Sequence, residues 1–241
     1  MEASITLKKV GKLVGDKTIL ASLTFGIEKG SLVAIIGDNE AGKSMLLRVI
    51  SGIEYQEYGQ IFINGLDSQK RRNKAMLSLG FVPHELDLDP WLTLEENIRF
   101  IGMLYGESTE TINTRMIQLS RELHITTYLK KMVKDISPGI IKKGMIIRAL
   151  IHDPEMVLLD EPASGLDPRY TKILKDWIKN LAANGRTVLL STHIIEMAEN
   201  LCTKVAIIDK GQLLAVGTIQ EIQASTGVNN LEDAFIRLIG D

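Results

Sequence analysis

The octapeptide Gly37-Asp38-Asn39-Glu40-Ala41-Gly42-Lys43-Ser44 constrains this chain more than any other feature. It fits G-x-x-x-x-G-K-[ST] and stands between a continuous apolar run, residues 31–36, and a helical pattern, residues 45–50. A short apolar run ending at glycine reads as a strand buried on both faces, the kind found in parallel sheets. Between such a strand and a helix, the glycines let the backbone curl. Successive N–H groups from Gly37 through Asn39, Ala41 and Gly42 can then turn inward on phosphate oxygens. The start of the helix adds a favourable dipole for an anion. Lys43 can neutralise β- and γ-phosphate charge, and the Ser44 hydroxyl can ligate Mg2+. Glu40 is at odds with this chemistry, because a carboxylate beside phosphates repels them unless its side chain turns outward.

The rest of the chain supplies a matching frame. Apolar runs recur at 156–159, 187–190 and 205–208, flanked by helical patterns at 171–181 and 194–201. Strands alternating with helices indicate βαβ units and a parallel sheet. Ahead of them, 5–10, 23–27 and 60–63 read as a more antiparallel strand group. Between about 83 and 151 the strand signal fades. Thr93-Leu94-Glu95-Glu96 has capping-box spacing, and apolar stripes continue through 112–123 and 139–150. The expected fold is therefore α/β: a mostly parallel sheet, an N-terminal antiparallel strand group and an inserted helical subdomain. The expected organisation is one unit over 1–241, with its core in 1–83 and 151–241 and the helical subdomain in 84–150.

A second site feature follows the run at 156–159, which ends in Asp160-Glu161. Alternation along a strand sends consecutive side chains opposite ways, so the two acids are expected to differ in task. Asp160 is expected to face Mg2+, and Glu161 the γ-phosphate side, where it can polarise an attacking water.

These segments carry a resemblance. Gly37–Ser44, then Leu158-Leu159-Asp160-Glu161-Pro162, then Ser164-Gly165-Leu166-Asp167, then Ser191-Thr192-His193, in this order and spacing, resemble the ATP-binding subunit of ABC transporters. The resemblance spans essentially the whole chain and implies a P-loop NTPase core. The stretch Leu231-Glu232-Asp233-Ala234-Phe235 is similar to the end of subunits from the drug- and peptide-export branch. The resemblance implies ATP and Mg2+ as cofactors and ATP hydrolysis as the reaction. It gives Glu161 the place of the catalytic base and His193 that of the histidine contacting the γ-phosphate. It also implies a second ATP-binding subunit, with each ATP held between one subunit's phosphate loop and the other's signature motif.

Three places depart from the family pattern. The signature, usually Leu-Ser-Gly-Gly-Gln, aligns to Ile136-Ser137-Pro138-Gly139-Ile140. Ser137 and Gly139 persist as candidate nucleotide contacts, Pro138 lacks an N–H, and Ile140 replaces an amide with a hydrocarbon. His84 stands where the family has a glutamine that reaches Mg2+ and the attacking water. It reads equally as a metal or water contact and as a non-contacting surface histidine. Val14 stands where an aromatic side chain stacks on adenine; losing ring stacking weakens base binding by about 0.5–1.5 kcal/mol. Two explanations remain open at this stage: a slow ATPase, or one half of an asymmetric heterodimer.

Composition limits the setting. Twenty-eight Lys+Arg against 30 Asp+Glu leave a net charge of -2, which argues against coating nucleic acid. The residues MEASITLKKVGK hold no apolar signal core, and no apolar run approaches the roughly 18–20 residues that span a bilayer. One cysteine, Cys202, excludes an intrachain disulfide framework. The expectation is a cytoplasmic protein, peripheral on the inner face of the membrane, powering a separate polytopic permease. Trp91, in Pro90-Trp91-Leu92, is expected either to pack at the start of a helix or to meet that permease.

Overall fold

The computed structural model describes residues 3–240. Two sheets form its frame. In the first, β1 (Ala3–Val14) lies between β2 (Lys17–Glu28) and β4 (Tyr58–Ile63), and the two-residue β5 (Leu66–Asp67) closes the edge; all pairs are antiparallel. The second sheet has six strands. From one edge it runs β10 (Gln212–Thr218), β9 (Lys204–Asp209), β3 (Leu32–Ile36), β8 (Thr187–Thr192), β7 (Met156–Asp160) and β6 (Leu79–Val82). Only β10 is antiparallel to its neighbour.

The central strand β3 shows why an unbroken apolar run was needed there. All five of its residues are buried. Leu32, Ala34 and Ile36 face one core, and Val33 and Ile35 face the other. The second of these cores lies between the two sheets, and helix α1 (Lys43–Ile50) is wedged into it. Leu46, Leu47, Val49 and Ile50 of α1 are all buried among residues of both sheets. Because α1 begins at the end of the glycine-rich loop, the same packing that fills this core anchors Lys43 and Ser44.

A five-residue helix, α2 (Arg72–Met76), precedes β6. Between β6 and β7 the chain is helical. Helix α3 (Leu94–Leu104) starts with the expected capping box: Thr93 Oγ1 accepts from the Glu96 N–H, and the Glu96 carboxylate accepts from the Thr93 N–H. Helices α4 (Thr109–Glu122) and α5 (Pro138–Leu150) follow. They pack on α3 through Ile98, Ile112, Met116, Ile140, Ile147 and Ile151. Helices α6 (Pro168–Ala183) and α7 (Ile195–Leu201) return the chain to β8 and β9. Helices α8 (Ile219–Thr226) and α9 (Leu231–Ile239) end the described chain.

The arrangement has one consequence for function. The strands β3, β8, β7 and β6 are neighbours and parallel, so their carboxyl ends open onto the same side. In such sheets that edge is where ligands bind. Leu46→Ala removes a fully buried side chain from the inter-sheet core and is expected to destabilise the fold by about 2–5 kcal/mol. Urea unfolding followed by circular dichroism measures this; a loss under about 1 kcal/mol would contradict the wedge role of α1.

Candidate active site

Each strand end contributes one part of the site. After β3 the chain turns through residues 37–42. Gly37 is required by close approach: a Cβ there would lie 2.3 Å from the carbonyl oxygen of Ile208 on β9. Gly42 is required by conformation, with φ of 104°, and caps the start of α1. Lys43 folds back over the loop. Its Nζ donates to the carbonyls of Gly37 at 2.8 Å and Asp38 at 2.9 Å, and lies 3.6 Å from Glu161 Oε1. The loop is therefore closed on its own lysine, whose charge faces the space that the loop surrounds.

At the end of β7, Asp160 is 1% exposed. Its Oδ1 accepts from Ser44 Oγ at 3.0 Å and from Ser191 Oγ at 2.6 Å. Its Oδ2 is buried and has no hydrogen-bond partner in the protein. A buried carboxylate oxygen without a donor costs about 1–3 kcal/mol or more, so this atom is a position for a cation. The donor set, a hydroxyl and a carboxylate, consists of hard oxygens. That suits Mg2+, which takes one or two protein ligands and completes its shell with phosphate and water.

Glu161 lies past the strand end, at φ of 44°, in the left-handed region. The alternation of a pleated strand therefore does not separate the two acids; the turn does. Glu161 Oε1 faces Lys43 and Oε2 faces His193 Nδ1 at 3.0 Å. Ser191 holds both acids, because its Oγ also accepts from the Glu161 N–H at 2.9 Å. His193 follows β8 and remains exposed on its other side.

These groups border an open cleft of about 570 Å3, lined by Asn39, Glu40, Gly42, Lys43, Ser44, His84, Glu161, Ser164 and His193 among others. His84 follows β6 and stands on the cleft wall, so its contact reading has a physical basis. Ala41 is buried and takes part through its backbone, its carbonyl accepting from the Gly211 N–H at 2.9 Å. Val14 is half-exposed and does not line the cleft. Lys17 and Ile19 of β2 do so instead. Val14 pairs with Lys17 across the two-residue turn, and of these two Lys17 borders the cleft.

Ser137 and Gly139 are also absent from this cleft. Ser137 caps α5, is exposed and makes no side-chain capping bond. Pro138 takes the first helical position, which its missing N–H suits. Ile140 is 2% exposed and packs in the core, so its replacement of an amide is a packing matter rather than a lost ligand contact. Asp167 accepts from the N–H groups of Arg169 and Tyr170 at 3.0 Å each and caps α6. Cys202 is buried, and burial pushes its thiol up to about 12, which makes it inert. Trp91 is 69% exposed, so the packing role at the start of α3 does not hold.

The supporting role of Ser191 and the places of Lys17 and Ile19 are not readable from the sequence pattern. Ser191 holds Asp160 and Glu161, but only the register of β7 on β8, which sets Asp160 opposite Ser191, makes this visible. Lys17 and Ile19 lie in an alternating strand with no local mark.

A strand–glycine-rich loop–helix element, an acidic pair and a histidine on one cleft define a nucleotide-triphosphate site of the P-loop class. Comparison with known proteins takes this further. Residues 20–164 match the family model described as ABC transporter. The Linearmycin resistance ATP-binding protein LnrL of Bacillus subtilis is 32% identical over 237 residues, covering 95% of this chain and 76% of that one. The ABC transporter ATP-binding protein NatA of Bacillus subtilis is 35% identical over 230 residues, covering 95% and 91%. A solved structure described as the ATP binding subunit of an ABC transporter superposes with a TM-score of 0.91 at 31% identity, covering 98% of this chain and 99% of that one. The chain belongs to the ABC transporter family, among its ATP-binding, ATP-hydrolysing subunits.

Glu40 remains the anomaly of the loop. It holds φ of 67° without being glycine, and it borders the cleft. A carboxylate about 4 Å from a phosphate oxygen costs about 1 kcal/mol in a watery site, or roughly fivefold in affinity. Glu40→Gly is therefore expected to tighten ATP binding about fivefold. Calorimetric titration decides it; unchanged or weaker binding would show that the carboxylate turns away from the nucleotide.

Proposed function

We propose that the chain hydrolyses ATP at this cleft to drive export through a separate membrane-spanning subunit, as one of a pair of ATP-binding subunits. The observation that carries the reading is the meeting of Lys43, Ser44, Asp160, Glu161 and His193 around one opening. Lys43 Nζ, now held by two carbonyls, exchanges a carbonyl for a phosphate oxygen when the triphosphate binds. Ser44 and Asp160 would hold Mg2+, which would supply charge neutralisation at the β- and γ-phosphates. Glu161 orients the attacking water and accepts its proton at the carboxylate. His193, bonded to Glu161 through Nδ1, fixes that carboxylate and presents its other face to the cleft.

Ser137 and Gly139 stand on α5 outside their own cleft, which supports their use by a second subunit, of the same or another kind. Pro138 leaves that helix start one N–H donor short, and this favours slow turnover in the isolated chain. The cassette is taken as one unit over 1–241, with 84–150 as its helical subdomain. Export follows from relatives named for linearmycin resistance and for Nod factor export. No helix among the described residues is long and apolar enough to cross a membrane. The proposed partnership with a permease puts the chain on the cytoplasmic face of the membrane.

The contact face for that permease is the outer side of α3. Phe100, Met103 and Leu104 are more than half exposed there, next to a groove lined by Ile53, Ile101 and Tyr105. Adjacent apolar side chains of this size in water mark an interaction site.

Two experiments test the reading. Glu161→Gln keeps the shape of the site but removes the proton acceptor, so hydrolysis is expected to fall about 100-fold or more while ATP binding survives. Unchanged turnover would remove Glu161 as the base. Phe100→Asp combined with Leu104→Asp is expected to release the chain from the membrane fraction of the cells that make it, with its own ATPase rate kept within about twofold. Full membrane retention would place the permease contact elsewhere.

A further inference from the structure

The signature helix and the wall of the nucleotide cleft are joined by a buried lysine. Lys142 lies in the second turn of α5 and is 3% exposed. Its Nζ donates to the carbonyl of Pro83 at 3.0 Å and to that of His84 at 2.9 Å. Burial lowers the affinity of Lys142 for its proton, while Asp160, Glu85, Asp87 and Glu161 act in the opposite sense. A second grip lies two turns further along the helix. Arg148 Nη2 donates to both carboxylate oxygens of Asp87 at 2.7 Å, and Nη1 to its carbonyl at 3.3 Å.

The held segment has no regular structure of its own. Residues 83–87 leave the end of β6 and belong to no helix or strand. The exposed imidazole of His84 therefore has its place on the cleft wall set by where its backbone is pinned. Lys142 pins it at two consecutive carbonyls, which fixes both the position and the tilt of the peptide unit that carries the ring.

We infer that Lys142 is a positioning residue that acts through His84: it ties α5, the helix that begins at Ser137, to the cleft wall, so that the two shift together. The inference rests on the ATPase reading for its kinetic consequence and on geometry alone for its structural one. The ammonium is suited to the task because three donors can serve two carbonyls at once, and because a buried cation with two carbonyl partners resists exchange with water.

The decisive experiment is a mutant cycle with a spectroscopic arm. Lys142→Met is expected to lower kcat for ATP about tenfold, with KM changed less than about twofold. In a His84→Ala background the same substitution is expected to add less than about twofold, because the residue it acts through is gone. Lys142→Arg, which keeps donors, is expected to restore most of the rate. A full tenfold loss in the His84→Ala background, or a Lys142→Met enzyme as fast as the parent, overturns the inference. If Lys142→Met does not fold, Lys142→Gln, which keeps one donor group, enters the cycle in its place. Independently of turnover, ring signals of 15N-histidine distinguish the four histidines, with His84 assigned by its loss in His84→Ala. Lys142→Met is expected to shift and broaden the His84 signal and leave His124 unmoved. An unchanged His84 signal overturns the inference even in a chain that hydrolyses nothing, whereas an inactive parent with a shifted signal overturns only the ATPase reading.

Discussion

The site depends on the register of β7 against β8. Parallel pairing sets Asp160 opposite Ser191, and the Ser191 hydroxyl then donates to Asp160 Oδ1 while accepting from the backbone of Glu161. One small side chain thus fixes the orientation of one acid and the backbone of the next. A slip by a single residue would turn both acids' supports to the other face of the sheet. Burial on both faces makes that slip costly, since every residue of β7 and β8 is buried. The hydrophobic packing of two strands is therefore what places a carboxylate beside the serine of the phosphate loop.

That placement leaves a deliberate imbalance. Asp160 Oδ1 has two donors and Oδ2 has none, at a position almost closed to water. Lys43 compensates for the negative charge of Glu161 but is spent on carbonyls of its own loop. The site is thus short of a cation near Asp160 and holds a cation at Lys43 with partners that a phosphate can replace. Both features lower the cost of taking up a metal-bound triphosphate, because the protein side of the binding surface is already desolvated and oriented.

Much of this was legible in the sequence because the loop, the acidic pair and the histidine are local patterns bound to strand ends. The buried run before Gly37 and the capping box at Thr93 survive into the structure for the same reason: their signals are short-range. The failures are equally instructive. The division of labour between Asp160 and Glu161 was expected from strand alternation, yet the strand stops at Asp160 and the left-handed backbone of Glu161 does the separating. Lys17, Ile19 and Lys142 carry no local mark; they reach the cleft or its wall through pairing and helix packing across long stretches of chain. Val14 shows the converse: the family pattern points to it as a nucleotide contact, yet Lys17, its partner across the turn, lines the cleft and Val14 does not.

The degenerate signature changes meaning once its side chains are placed. Besides the conservative Ile136, two of its positions depart from the family pattern, and they depart in different directions in space. Ile140 points into the helical core, where a hydrocarbon contributes burial and an amide would need partners. Pro138 sits at the exposed helix start, where proline suits the helix and subtracts one outward N–H. Only the second alters what α5 offers to a ligand. The helix also keeps a firm hold on the opposite side, through Lys142 and Arg148 on residues 83–87. The start of α5 thus presents one outward N–H fewer, while two side chains further along anchor the helix to the wall of the cleft.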